Sequence, residues 1–172
     1  RPVEVTSKSQ AQNFADDVAQ KIDELEKSGH GFSALLICPI FANEGFPDRE
    51  PDWLKPVAAV VKKAGGLLIS DEIQPGFGRI GSHMWGYQRA GIIPDIVTLG
   101  KPMGNGHPVG ATITSADLMK AFRSNAKYFN TFGGNAVSIA AAQAVLDIIR
   151  EENLQQNAKV VGSSLRRMLQ EL

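Results

Sequence analysis

The sequence has one cysteine, Cys38, among 172 residues. A single thiol excludes an intrachain disulfide framework and any zinc site built from several cysteines. Histidine is scarce too: His30, His83 and His107 stand singly, without the spacing of metal ligands. An excess of either charge is also missing. The 18 Lys and Arg balance 18 Asp and Glu, so no global field draws the chain toward nucleic acid or an acidic membrane. No apolar run approaches ~18 residues, the length a membrane-spanning helix needs. Arg1-Pro2-Val3-Glu4 has neither the basic nor the apolar region of a signal peptide. These absences lead to an expectation of a cytoplasmic protein without nucleic-acid or membrane partners.

What is present is ordinary globular composition: 43% apolar and 21% charged residues, long enough for one domain with a real core. Ser9 to Ser28 reads as an amphipathic helix, with Phe14, Val18, Ile22 and Leu25 recurring three or four residues apart and Gly29 as its stop. Ala34 to Cys38 is an unbroken apolar run, which predicts a strand covered on both faces. Pro39 to Pro51 is loop. Trp53 to Ala64 reads as a helix with Leu54, Val57, Val60 and Val61 inward, and Gly65-Gly66 ends it. Strands follow at Leu67–Ile69, Asp95–Leu99 and Val109–Thr114. Ser115 caps a helix through Phe122, and Ala136–Arg150 and Asn153–Leu172 read as two more helices. Helices alternating with short apolar strands predict an α/β fold with a mostly parallel sheet and flanking helices.

Ligands of open parallel sheets bind beyond the carboxyl ends of the strands. Two charged residues stand there: Asp71 after Leu67–Ile69, and Lys101 after Ile96–Leu99. A carboxylate and an amine so placed can converge on one ligand. Asp71 could equally cap a loop, and Lys101 could be a solvated surface charge. In a partly desolvated pocket, however, a lysine acts as a nucleophilic amine. Glu72 reads as a loop-ordering residue.

Gly76-Phe77-Gly78-Arg79-Ile80-Gly81 matches G-x-G-x-x-G, with Asp95 lying 19 residues beyond Gly76. A dinucleotide fingerprint needs its first glycine at the turn off the strand and a helix opening on the loop. Here Asp71 to Pro75 intervenes and no long periodic helix follows, which argues against that reading. His107 reads as a loop hydrogen-bonder, Cys38 as an inert core residue, and Trp53 and Trp85 as packing. Thr131-Phe132-Gly133-Gly134-Asn135 precedes a helix, so it suits either an anion or a plain N-terminal cap.

Taken together, Asp71-Glu72-Ile73-Gln74-Pro75-Gly76-Phe77-Gly78-Arg79, Pro94-Asp95-Ile96-Val97-Thr98-Leu99-Gly100-Lys101 and Thr131-Phe132-Gly133-Gly134-Asn135 closely resemble the class III aminotransferases. These are pyridoxal 5′-phosphate (PLP) enzymes of fold type I. The likeness covers roughly Ala34 to Leu172, and the 30 residues from Asp71 to Lys101 fit the family's spacing. The resemblance implies a role for each matching residue. Lys101 would form the aldimine with PLP and carry the proton in transamination. Asp71 would pair with the pyridine nitrogen and keep the ring a strong electron sink. Ile73 would pack under the ring, Gln74 would hydrogen-bond near its 3-hydroxyl, and Thr131 would reach the cofactor phosphate across a homodimer interface.

Gly100 to Pro108, with Tyr128-Phe129-Asn130-Thr131, is similar to the alanine–glyoxylate aminotransferase 2-like branch. That branch also includes phospholyases acting on phosphorylated amines such as ethanolamine phosphate. The resemblance therefore implies amine or amino-acid donors with 2-oxo acid or aldehyde acceptors, and phosphate elimination as the alternative reaction. One departure is Cys38-Pro39, where the family commonly has an acid before proline. This departure bears on substrate identity rather than on the cofactor, and Glu44 is read as a solvated loop acid. The resemblance further implies that residues 1–172 are the central part of the large domain. A preceding phosphate-cradling segment and a C-terminal small domain with a carboxylate-binding arginine are expected elsewhere. On that expectation the isolated stretch is an incomplete scaffold, and activity belongs to the intact protein.

Overall fold

The computed structural model describes residues 9–172. Ser9 caps α1 (Gln10–Lys27), its hydroxyl accepting the Gln12 N–H. Gly29, just past the helix, has φ +80°, the left-handed conformation that ends a helix cheaply in glycine. The chain continues through β1 (Ala34–Ile37), α2 (Lys55–Lys63) and β2 (Leu67–Asp71). Next come the short helix α3 (Gly86–Arg89), β3 (Ile96–Leu99) and β4 (Ala111–Thr114). Three helices finish the chain: α4 (Ala116–Asn125), α5 (Ala136–Glu151) and α6 (Leu154–Gln170). The second helix starts two residues later than its sequence pattern implies, because Trp53 and Leu54 lead into it and Pro56 occupies its first turn.

The four strands lie in chain order in one sheet. The first two pairings are parallel and the last is antiparallel. A parallel partner needs a crossover of a dozen or more residues, usually a helix. Helix α2 connects β1 to β2, but only the loop of residues 100–110 joins β3 to β4. That loop is too short for a crossover, so β4 runs back.

Side chains alternate along a strand, and the pleat decides which residues are inside. Leu35 stands opposite Leu68, and Ile37 opposite Ser70. This face is covered by α1 and α2, whose Ala15, Val57 and Val61 form one core with Ile37, Leu68, Leu54 and Trp53. The other face is less covered: Leu36 is 60% exposed. The expectation of a strand buried on both faces therefore fails for β1 within this chain, because the two packed helices lie on one side. Cys38 falls just past β1 and is half-buried, so it is not the core residue its apolar neighbours implied. Trp53 does pack inward, against Phe14 and Phe41, and Trp85 packs on Phe77. Among the described residues, no helix is long and apolar enough to cross a membrane.

Candidate active site

Because β2 and β3 are parallel, their carboxyl ends open on the same side. Asp71 is the last residue of β2 and stands opposite Thr98, three residues before Lys101. The fold thus brings the predicted acid and amine to one end of adjacent strands. Asp71 is half-buried, and its Oδ1 accepts the Ile73 N–H at 3.0 Å. That turn fixes one carboxylate oxygen and leaves Oδ2 with no hydrogen bond among the described residues.

Ile73 joins this end of the sheet. A Cβ built on Gly100 would lie 3.4 Å from Ile73 Cγ1, so the isoleucine rests beside the residue preceding Lys101. Gln74 reaches the other way and donates from Nε2 to Asn43 Oδ1 at 3.2 Å. This bond draws the loop after β1 over the end of β2. Nothing in the spacing of Asn43 announces it, since the partners lie in separate loops. Glu44, its neighbour, is exposed, as a solvated loop acid should be.

Lys101 opens a 3-10 turn, Lys101–Gly104, with φ +22°. A positive φ is costly for a residue with a Cβ and persists where the surroundings enforce it. The turn is held by the Met103 N–H donating to the Gly100 carbonyl, and α5 packs against it. His107, farther along the loop, makes the expected loop hydrogen bond: its Nε2 lies 2.9 Å from Ser138 Oγ on α5. The desolvated pocket expected around Lys101 is not built by this chain alone. The residue is exposed, because none of the described elements covers the strand ends there.

Thr131 shares no hydrogen bond with these residues among those described. It lies in an exposed turn before α5, with Phe129 and Phe132 87% and 79% exposed. Asn135 closes that turn as a helix cap, its Oδ1 accepting the Ser138 N–H. The cap is thus supplied by Asn135, and the Thr131 hydroxyl takes no part in it.

Glu72 is buried completely and orders the loop, as its sequence position implied. Its carboxylate accepts from Ser70 Oγ, from Gly86 N–H and from Tyr87 N–H at 2.7–2.9 Å. Burial pushes this carboxyl above its ordinary range, against the opposing pull of those three donors. The Tyr87 hydroxyl is raised as well, first by burial and then by the nearby Glu72 charge.

The glycine motif serves packing. A Cβ on Gly81 would lie 2.7 Å from the Lys159 backbone nitrogen, and one on Gly78 would lie 3.1 Å from Gln155 Cβ. Both glycines let α6 approach. Asp95 is engaged too: its Oδ2 accepts the Leu68 N–H at 2.8 Å. The dinucleotide reading has neither its helix nor a ribose-facing acid. Among the described residues no group of three or more His, Cys, Asp or Glu side chains could hold a metal ion.

Residues 2–172 match the model of the family described as aminotransferase class-III. The chain belongs to the class III aminotransferases. It is 44% identical over 152 residues to the alanine–glyoxylate aminotransferase 2-like protein of Drosophila melanogaster, covering 86% of this chain and 31% of that protein. A phospholyase from Arthrobacter, solved in complex with phosphoethanolamine, superposes with a TM-score of 0.89 at 42% identity, over 99% of this chain and 42% of that one. The ornithine aminotransferase of Toxoplasma gondii, solved with partial occupancy of PLP at its active site, gives a TM-score of 0.81 at 27% identity. That match covers 91% of this chain and 35% of the other. The chain thus spans 31% to 42% of these proteins' lengths, and its fold is that of their PLP-dependent family.

Proposed function

We propose that the intact protein containing this chain is a PLP-dependent aminotransferase, moving an amino group from an amine or amino acid to a 2-oxo acid or aldehyde. The observation that carries this reading is the placing of Asp71 and Lys101 at the same end of β2 and β3, with one Asp71 oxygen already held by Ile73. The site fits the cofactor chemically. It offers a carboxylate for a pyridinium nitrogen, an amine for an aldehyde, and an apolar side chain for a ring face.

Bound PLP supplies the electron sink that stabilises a carbanion. The protein's part is to bind and position. Lys101 Nζ would hold the cofactor through its aldehyde and would be the group that moves a proton there. Asp71 Oδ2, the oxygen not taken by the Ile73 N–H, would keep a proton on the ring nitrogen. Ile73 would supply an apolar surface for the ring, and Gln74, anchored to Asn43, would offer it a hydrogen bond. Thr131 would bind the cofactor phosphate of a second subunit. The exposed Tyr128, Phe129 and Phe132 around it, 69%, 87% and 79% accessible, support a homodimer that covers them.

A second reading is phosphate elimination from a phosphorylated amine. The similarity to the Arthrobacter phospholyase, at a TM-score of 0.89, favours it. Both reactions use the same cofactor residues, and the groups that choose between them are expected outside this chain.

The test is an absorbance spectrum of the intact protein with PLP, before and after borohydride, followed by mass mapping. A visible band and a phosphopyridoxyl adduct on Lys101 are expected, and both should vanish in Lys101→Ala. Adducts scattered over surface lysines would sink the assignment. Assays with amino donors and 2-oxo acids, and of phosphate release from ethanolamine phosphate, then separate the two reactions.

A further inference from the structure

Alternation along β2, carried one residue past its end, sends Ser70 and Glu72 to the covered side of the sheet and Asp71 to the open side. Ser70 and Glu72 are both 0% exposed. Glu72 is gripped by five hydrogen bonds. Its Oε1 accepts from Ser70 Oγ and the Tyr87 N–H, and its Oε2 accepts from the Gly86 N–H. Its own N–H donates to the Thr98 carbonyl at 3.0 Å, and its carbonyl accepts the Gly76 N–H at 3.1 Å. The anchor it grips is itself tightly packed. A Cβ on Gly86 would lie 2.8 Å from Pro75 and 3.2 Å from Pro39, so α3 begins in a space with no slack. The residues on either side of Glu72 are Asp71 and Ile73, and these two bond to each other across it.

We propose that Glu72 is a positioning residue for Asp71: its buried carboxylate locks residue 72 between α3 and the end of β3, and this lock sets the direction of the Asp71 carboxylate. The part of the proposal that concerns a pyridine nitrogen rests on the function proposed above. The lock itself does not. An open strand end leaves a carboxylate free to rotate and to find water. With residue 72 immobilised on both backbone groups and both carboxylate oxygens, the Asp71–Ile73 turn has one geometry, and Oδ2 presents in one direction. A buried acid beside an acting acid thus supplies rigidity without touching the ligand.

The experiment uses the intact protein with Glu72→Gln. The amide keeps the side chain's volume and can keep Oε1 with Ser70 and Tyr87. It sets an N–H donor against the Gly86 N–H, so that one bond is lost and replaced by repulsion. Amide hydrogen exchange is read in the cofactor-free protein. The Ile73 N–H, two residues from Asp71, is expected to exchange about tenfold faster relative to the global rate, the equivalent of one lost hydrogen bond. A Ser115→Ala control, which removes the cap of α4 at the opposite end of the sheet from Asp71, should not show this selective change. With PLP isotopically labelled at the ring nitrogen, the nitrogen resonance of Glu72→Gln should move toward the unprotonated form, while the control keeps the wild-type shift.

Equal Ile73 protection in Glu72→Gln and the control overturns the proposal, whatever the cofactor does. Faster Ile73 exchange in a protein whose Lys101 takes no PLP supports the lock and rejects the cofactor reading, so the two failures are distinguishable. Should Glu72→Gln not fold, Ser70→Ala removes one of the three donors and is expected to give the same selective change at reduced size. No selective change at Ile73 in that variant overturns the proposal equally.

Discussion

Asp71 and Thr98 are register partners at the ends of β2 and β3, and Lys101 follows Thr98 by three residues. This pairing brings the acid and the lysine to one end of adjacent strands, where the proposed function needs them together. Asp71→Ala removes the carboxylate, and Asp71→Asn keeps an oxygen for the Ile73 N–H while removing the charge. In the intact protein both are expected to form the Lys101 adduct. Both should lose turnover by roughly 10³-fold, the scale of losing one preorganised electrostatic partner. Single-turnover kinetics alongside the borohydride adduct check this. Undiminished turnover in either variant rules out a ring-nitrogen role.

Gly81 is predicted to be irreplaceable for α6. It has φ +71°, and an added Cβ would meet the Lys159 nitrogen at 2.7 Å and its Cα at 2.8 Å. Both are backbone atoms of a helix and cannot swing aside. Gly81→Ala should cost about 2–4 kcal/mol, combining backbone strain with overpacking. Gly65 is the control: its φ is +75°, yet no atom lies within 4 Å of the Cβ position. Gly65→Ala should cost only about 1–2 kcal/mol, from the conformation alone. Urea unfolding of the two variants measures the difference, and equal losses would refute the packing role of the glycine motif.

Much of this arrangement is legible in the sequence because it is local. Ser9, Ser115 and Asn135 cap the helices that their positions announce. Asp71 and Lys101 are found at strand ends because short apolar runs stop there. The parts that are not legible are long-range. Reading β2 as ending at Ile69 conceals the alternation that buries Glu72 and turns Asp71 outward; the strand continues to Asp71. The exposure of Leu36 and Lys101 depends on which elements cover the sheet, and no run of residues states that. The Gln74–Asn43 bond joins two loops 31 positions apart, beyond any periodic signal.

Glu72 makes the stability of the fold pH-dependent in a defined direction. Burial raises its carboxyl above the ordinary value despite three donors. Between that ordinary value and the raised folded one, the folded chain keeps a proton that the unfolded chain has released. The contribution to stability is therefore full below the ordinary carboxylate range and is lost as pH rises through the folded value. Unfolding free energies across this window should fall with rising pH in the wild type. They should fall less steeply in Glu72→Gln, whose overall stability is lower but whose residue 72 cannot titrate. Parallel slopes for the two proteins would show that another group titrates.

Trp53 ties the core to the loop that approaches the site. Its indole is 4% exposed and lies 5.7 Å from the Phe14 ring and 5.0 Å from the Phe41 ring, measured between centroids. Its Nε1 donates to the carbonyl of buried Pro39 at 3.1 Å, and the Arg49 guanidinium lies 5.8 Å from its ring centroid. Pro39 starts the loop that carries Asn43 to Gln74. Trp53→Ala removes the ring and leaves a cavity, which should cost about 3–5 kcal/mol. Trp53→Phe keeps most of the apolar area but leaves the Pro39 carbonyl without its donor, which should cost about 1–3 kcal/mol. The loop should respond to the same change. Amide exchange across residues 39–46 is expected to quicken in Trp53→Phe more than exchange in α5, because only the former segment hangs on that bond. A uniform increase in both segments would mean that Trp53 contributes bulk to the core and leaves the loop to be ordered by Arg49 and Gln74.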